Sequence, residues 1–174
     1  MVRLIEVIPY KPEWSALYSK EATKIAGILN QELIDIHHIG STAIKGISAK
    51  PIIDILIVVR SISNMDKLNE RMIGIDYRPM GEYGIKGRRF FIKGNDELRT
   101  HHLHAFQSGD RQIKQYLTFR DYLIVNPNIA KRYSDLKIEL AGKHPHDIEK
   151  YMDGKDRFIS NIHASFSGLA KPKG

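Results

Sequence analysis

A single aspartate interrupts the most apolar run of this sequence. Asp54 lies in the stretch Ile52 to Val59, whose other seven members are all aliphatic. Removing an isolated carboxylate from water costs several kcal/mol unless a partner replaces the water. That partner is a nearby Lys or Arg, water at a strand edge, or a bound Mg²⁺ or Mn²⁺ ion, for which carboxylate oxygens are good ligands. Asp54 is therefore the first candidate for a catalytic or metal-binding residue.

Two histidines stand at alternate positions of a predicted strand. His102 and His104 therefore lie on one face of that strand. The residues that point to the opposite face are His101, Leu103 and Ala105. Paired imidazoles can bind a metal or an anion, and each can transfer a proton near neutral pH, although a histidine-containing strand with no ligand is the alternative. Because the chain has no Cys, the sequence favours Mg²⁺ or Mn²⁺ over Zn²⁺.

Four cationic side chains occur within eight residues, next to two phenylalanines: Lys86, Arg88, Arg89 and Lys93. Such a segment can clamp phosphates or stack a base, and the alternative is a strand edge protected by charge. The tripeptide Gly40-Ser41-Thr42 offers backbone N–H groups and hydroxyls to phosphate oxygens if it turns tightly, although the same residues form many turns that bind nothing. The net charge of +7 favours an anionic partner, or is only a basic solvated surface.

The elements that must position these residues follow from hydrophobic periodicity, capping residues and glycines. In chain order they are a helix over 12–30, a strand over Leu33–Ile39, a buried strand over Ile52–Val59, a helix from Ser63 or Asn64 to Ile73, a hairpin with arms Arg89–Lys93 and Arg99–Gln107, and helices over 110–125, 127–143 and 145–166. This order predicts an α+β fold, a mixed sheet with a helical C-terminal block. One domain over 1–166 and a disordered tail over 167–174 are expected.

Several classes of protein are excluded by composition. Without Cys there are no disulfides, no thiolate metal sites and no cysteine nucleophile. The longest apolar stretch is far shorter than the roughly 20 residues of a membrane-spanning helix. The first ten residues contain Arg3 and Glu6 and do not resemble a signal peptide. We therefore expect a cytoplasmic protein without a membrane partner.

Separated blocks of sequence occur in the order typical of one family: 10–14, 38–56, 81–91, 99–104 and 119–123. The longest block reads HIGSTAIKGISAKPIIDIL. Together the blocks resemble the GrpB-like family of the nucleotidyltransferase superfamily over nearly the whole chain, to about residue 158. The resemblance implies a nucleotidyltransferase-like mixed sheet flanked by helices.

The same resemblance implies roles for individual residues. In that superfamily a Gly-Ser pair binds the triphosphate and carboxylates on the next strands hold a divalent metal, which assigns Gly40 and Ser41 to phosphate and Asp54 to metal. Active members place two acids at alternate positions of one strand, whereas the residues two before and two after Asp54 are Ile52 and Leu56. The candidates that would complete the metal shell are Glu82, His102 and His104.

The leading hypothesis is a metal-dependent nucleotidyl or phosphoryl transferase with a nucleoside triphosphate donor and an unidentified acceptor. The assigned roles are phosphate binding by Gly40, Ser41, Thr42, Lys50, Arg88 and Arg89, metal binding by Asp54 with Glu82 or His104, and general base catalysis by His102. The alternative is a binding module that kept the pocket, lost catalysis with the second acid, and now binds a nucleotide, a CoA-like cofactor or RNA. A third hypothesis is a scaffold whose helical block docks a partner protein.

Overall fold

The computed structural model describes residues 3–169, which form six helices and five strands. The elements are α1 (Glu13–Leu29), β1 (Leu33–Ile39), β2 (Ile53–Val59), α2 (Ile62–Lys67), α3 (Asn69–Ile73), β3 (Tyr77–Pro79), β4 (Arg89–Gly94), β5 (Arg99–Gln107), α4 (Arg111–Val125), α5 (Pro127–Lys143) and α6 (Ile148–Leu169). The predicted α+β class, with a mixed sheet followed by a helical block, is confirmed. No helix in this range is long and apolar enough to cross a membrane.

The five strands form one mixed sheet in the order β1-β2-β5-β4-β3. Strands β2 and β5 run parallel, and all other neighbours are antiparallel. The predicted buried strand β2 is therefore central, and β4 with β5 is the predicted hairpin. The parallel register places Asp54 opposite His102, so the acid and the histidine strand singled out in the sequence are direct neighbours.

Side-chain alternation divides the sheet into two faces with different cover. The face under α1, called here the α1 face, packs alternate aliphatic residues of β2 and β5 against Trp14, Ile25 and Leu29. The opposite face, the α4 face, carries Asp54 and is covered in part by Ile113, Tyr116 and Leu117 of α4. These α4 residues are partly buried against the sheet, so this face of the helical block is not a free docking surface.

Two helices differ from their predicted bounds. The predicted helix to Ile73 is two short helices that meet at Leu68, with Met65 and Met72 buried beneath them. The last helix begins at Ile148 rather than Pro145, because the Asp147 carboxylate accepts the Lys150 N–H at 3.1 Å and caps it. That helix continues to Leu169, so residues 167–169 of the predicted tail are helical, and 170–174 lie outside the described residues.

The helical block packs on the segment between β1 and β2. Ile44 and Ile47 of that segment form a buried cluster with residues of the last three helices: Leu123, Ala130, Tyr133 and Ile162. This packing places one face of α5 and α6 beside the start of β2. Side chains of α5 and α6, which are far from Asp54 in the sequence, are thereby brought near it.

Candidate functional site

The site forms where β1 turns back toward β2. Gly40 follows β1 with a φ of 71° and precedes a short 3₁₀ turn over Ser41–Ala43. A Cβ on Gly40 would lie 2.8 Å from Oδ2 of Asp54. Only glycine therefore combines this left-handed conformation with such a close approach. The predicted phosphate turn and the predicted acid are in direct contact.

Two imidazoles share one oxygen of Asp54. His104 Nε2 lies 3.3 Å and His102 Nδ1 lies 3.5 Å from Oδ1. Burial alone would raise the pKa of Asp54, but the hydrogen bonds to His102 and His104 lower it below its usual range. Asp54 is thus an ionised carboxylate with imidazole partners, and its side chain keeps 28% exposure.

Arg88 fixes the protonation of His104. The guanidinium Nη1 lies 3.3 Å from His104 Nδ1. Because arginine is only a donor, Nδ1 accepts, and the imidazole proton sits on Nε2 facing Asp54. Burial lowers the pKa of His104, which agrees with this neutral form. Both nitrogens of His104 are therefore engaged within the protein.

His102 differs from His104 in having one ring nitrogen without a hydrogen-bond partner among the described residues. Its Nδ1 faces Asp54, while its buried Nε2 has no hydrogen-bond partner among the described residues. A carboxylate behind one imidazole nitrogen orients the ring and leaves the other free for a ligand or a proton. Asp54 thus orients His102, whose second nitrogen has no partner among the described residues and is enclosed by the protein.

Thr42 is held by a histidine that the prediction did not use. His38 Nε2 and Thr42 Oγ1 are 2.9 Å apart, and the His38 ring stacks on Tyr18 at 4.7 Å. Burial lowers the pKa of His38 to about 4. A neutral His38 therefore anchors Thr42, and the neighbouring Ser41 side chain hydrogen-bonds Tyr133 of α5.

Three lysines from three segments approach this site: Lys50 before β2, Lys137 on α5 and Lys155 on α6. Burial, together with repulsion from Lys155, lowers the pKa of Lys137 to about 7 and that of Lys50 to about 8. Lys50 was predicted; Lys137 and Lys155 were missed. The available signal was periodicity, because Lys137 occupies the buried stripe of α5.

Two predicted site residues are engaged elsewhere. The Glu82 carboxylate accepts the Gly87 N–H within its own loop. Arg89 lies on the α1 face of the sheet, where it forms a two-point ion pair with Asp66 of α2 at 2.7 and 3.1 Å. The structure therefore brings together the turn, Asp54, both histidines, Lys50 and Arg88, and leaves Glu82 and Arg89 apart.

The residues around Asp54 do not fit a resident divalent ion. Within the described range, no group of three or more His, Asp or Glu side chains is arranged to hold a metal. The neutral His104 directs its proton toward Asp54, and Arg88 occupies its other nitrogen. The positive charges of the nearby lysines and of Arg88 also repel a divalent metal ion. The predicted metal shell of Asp54, Glu82 and His104 is thus not supported.

Comparison with known proteins identifies the family. A model of the GrpB family, described as "GrpB protein", matches residues 4–165. The chain belongs to the GrpB family. A crystal structure of the GrpB protein of Enterococcus faecalis superposes with a TM-score of 0.88 at 42% identity, covering 92% of this chain and 96% of that one.

Curated relatives share most of this chain. The GrpB-family chain is 46% identical over 157 residues to YqkA of Bacillus subtilis, which covers 90% of this chain and 46% of YqkA. It is 37% identical to the glutamate-rich protein GrpB of Alkalihalophilus pseudofirmus, over 90% of this chain and 92% of that protein. A more distant match, 23% identical over 185 residues, is a dephospho-CoA kinase of Mycolicibacterium paratuberculosis; it covers 91% of this chain and 45% of the kinase.

Proposed function

We propose that this chain binds the phosphate groups of a nucleotide or CoA-type ligand over the Gly40–Asp54 contact, without a resident metal ion. The observation that carries the proposal is the composition of the site. One partly exposed carboxylate is surrounded by imidazoles, a buried guanidinium and three lysines. Such a site lowers the energy of an anion by electrostatics alone.

The glycine turn adds a geometric argument for phosphate. Its left-handed backbone and following 3₁₀ turn are the kind of conformation that presents backbone N–H groups to an anion. The Ser41 side chain is adjacent to them. The match to a dephospho-CoA kinase, a name that refers to a phosphate-bearing nucleotide, gives independent but weak support.

A second candidate function is phosphoryl or nucleotidyl transfer, and the Nε2 of His102, which has no partner among the described residues, favours it. In that reaction the site opens to expose His102 Nε2, which takes the proton of an acceptor hydroxyl as the oxygen attacks phosphorus. The bond from that phosphorus to the bridging oxygen of the triphosphate breaks, and a nucleoside diphosphate (phosphoryl transfer) or pyrophosphate (nucleotidyl transfer) leaves. Asp54 stabilises the resulting imidazolium, and the cations hold the charge of the phosphates. Membership of the nucleotidyltransferase superfamily belongs to this candidate and stays a prediction, as does RNA as an alternative ligand.

Binding is tested by titration calorimetry with ATP, ADP, AMP, CoA and dephospho-CoA, first in EDTA and then in Mg²⁺. We expect at least one of these ligands to bind in EDTA, and Ser41→Ala to weaken that binding severalfold. The matched control is Ser160→Ala on the exposed surface of α6. Absence of binding throughout, or binding only with Mg²⁺, contradicts the proposal.

Transfer is tested separately with His102→Gln. A transferase role predicts that this variant binds the ligand and no longer releases or transfers labelled phosphate from ATP. Equal turnover in wild type and variant removes His102 from the mechanism. If the wild type binds ATP but does not turn it over, the transferase candidate is wrong and the binding function stands.

A further inference from the structure

We propose that Lys50, Lys137 and Lys155 form a polyphosphate site, which selects ligands with two or more linked phosphates. This inference rests on the proposed function and deepens it, because it names the part of the ligand that the lysines bind. It also divides the site into two parts. The lysines hold the phosphate chain, while the turn, Asp54 and His102 face the phosphate group nearest to them.

The three ammonium groups come from separate segments but share aromatic neighbours. Lys50 Nζ lies 5.3 Å and Lys155 Nζ lies 5.0 Å from the centre of the Tyr151 ring. Because both distances are measured to the same ring centre, the two ammonium groups cannot be farther apart than the sum of the two distances. Lys137 Nζ lies 4.8 Å from the centre of the neighbouring Tyr133 ring and donates to the Ser48 carbonyl. The two aromatic rings therefore keep the three lysine side chains close to one another.

The lysines have no close anionic partner. Within the described range, none of the three ammonium groups is at ion-pair distance from a carboxylate, whereas exposed lysines such as Lys131 and Lys143 are paired. Asp54 and the exposed Asp156 act on Lys155 only from farther away. Lys137 is 2% exposed, so water provides little compensation. Lys50 and Lys155 are partly exposed beside it, and cations held together without a counterion are expected where a ligand supplies the negative charge.

The number and origin of the cations indicate a chain of phosphates rather than one. Lys50 Nζ and Lys155 Nζ lie near the Tyr151 ring, and Lys137 Nζ lies near the adjacent Tyr133 ring, so the positive charge extends along two aromatic side chains. Near pH 7 a single phosphate group carries about one to two negative charges, fewer than the lysines and Arg88 can balance even beside Asp54, whereas each further phosphate of a chain adds charge. The buried Tyr151 hydroxyl, which has no hydrogen-bond partner among the described residues, offers a further donor beside Lys50 and Lys155.

The test compares tripolyphosphate, pyrophosphate and orthophosphate as probes, by titration calorimetry at pH 7 in EDTA. We expect wild type to bind tripolyphosphate more tightly than orthophosphate. Each of Lys50→Gln and Lys155→Gln should weaken tripolyphosphate binding about tenfold or more, and orthophosphate binding much less. The matched control, Lys131→Gln, removes an exposed lysine of α5 and should change neither affinity by more than about twofold.

The outcomes separate this inference from the function on which it rests. If ATP binds to wild type and equally well to both lysine variants, the polyphosphate site is wrong and the proposed function stands. Failure of wild type to bind any nucleotide or phosphate probe contradicts both. Equal affinity of wild type for all three probes also contradicts the inference, since the lysines would then not select a phosphate chain.

A second readout keeps the test independent of folding defects. Mutual repulsion destabilises the ligand-free lysine site, so Lys155→Met should raise the melting temperature of the free protein. The same variant should show a smaller upward shift than wild type when tripolyphosphate is added. If the lysine had only a structural role, the same variant would instead lower the melting temperature of the free protein.

Discussion

The two faces of the sheet each bury a carboxylate next to β5, but they balance its charge differently. On the α1 face, Glu21 of α1 accepts a hydrogen bond from Lys93 at 2.7 Å, and both side chains are largely buried. His101 lies 3.9 Å from the same carboxylate. On the α4 face, Asp54 has two imidazole neighbours, and the nearby lysines have no carboxylate at ion-pair distance within residues 3–169.

The difference separates a structural cluster from a binding site. Glu21 and Lys93 neutralise each other, so their cluster is complete without a ligand. The lysines around Asp54 repel one another, which lowers the pKa of Lys50 and Lys137 in addition to the effect of burial. A protein that keeps such an unbalanced cluster gives up stability in exchange for affinity toward an anion.

The largest expected effect is on the balanced face. Glu21→Gln removes one partner of a buried ion pair and leaves the Lys93 ammonium without its counterion. We expect a loss of about 3 kcal/mol in the free energy of unfolding, measured by urea denaturation. Asp54→Asn should cost clearly less, because Asp54 is 28% exposed against 5% for Glu21. Equal losses would mean that both clusters serve only stability.

A smaller effect is the pH dependence of stability that the lysines impose. Their folded-state pKa values, about 7 for Lys137 and about 8 for Lys50, lie below the unfolded value of 10.5. The unfolded chain therefore binds more protons between pH 7 and 10, and the free energy of unfolding rises with pH in that window by up to a few kcal/mol. Urea denaturation of wild type and Lys137→Met checks this, and the variant should show a smaller rise. An identical rise in both would contradict the assigned pKa of Lys137.

The smallest expected effect is the loss of stability caused by disturbing the contact between the turn and Asp54. Gly40→Ala introduces a side chain at positive φ and places its Cβ 2.8 Å from Asp54 Oδ2. Gly46→Ala is the matched control, since Gly46 also has a positive φ but no atom within 4 Å of the added Cβ. We expect both variants to lose about 1 kcal/mol by backbone strain, and Gly40→Ala to lose about 1 kcal/mol more. Thermal denaturation measures the difference, and no difference would mean that the contact relaxes freely.

The sequence predicts the sheet better than it predicts the charge around the site. Strand β2 is recognisable because its aliphatic run is buried on both faces, and His102 and His104 follow from strand alternation. Together with family resemblance, these patterns identify the turn, Asp54 and both histidines from the amino-acid sequence alone. They depend on residues close in sequence or on one strand.

The lysines and the two misplaced residues depend on tertiary contacts that no local pattern encodes. Lys137 and Lys155 come within electrostatic range of Asp54 only because α5 and α6 pack over the segment after the turn. Glu82 was predicted to bind metal, yet it binds its own loop. Arg89 was predicted to bind phosphate like Arg88, yet its side chain lies on the α1 face. Alternation from Arg89 to Phe91 could have assigned that face, whereas the partner Asp66 could not be foreseen.

The central claim is that Asp54 belongs to an anion site rather than to a metal site, and the two roles give opposite signs for one substitution. The decisive measurement is the dissociation constant of ATP for wild type and Asp54→Asn, each in EDTA and in Mg²⁺, with Asp135→Asn on α5 as the control for an exposed carboxylate. Removing the negative charge from an anion site should leave ATP affinity unchanged or increase it severalfold. Loss of ATP binding in Asp54→Asn, together with a requirement for Mg²⁺ in wild type, would contradict the account.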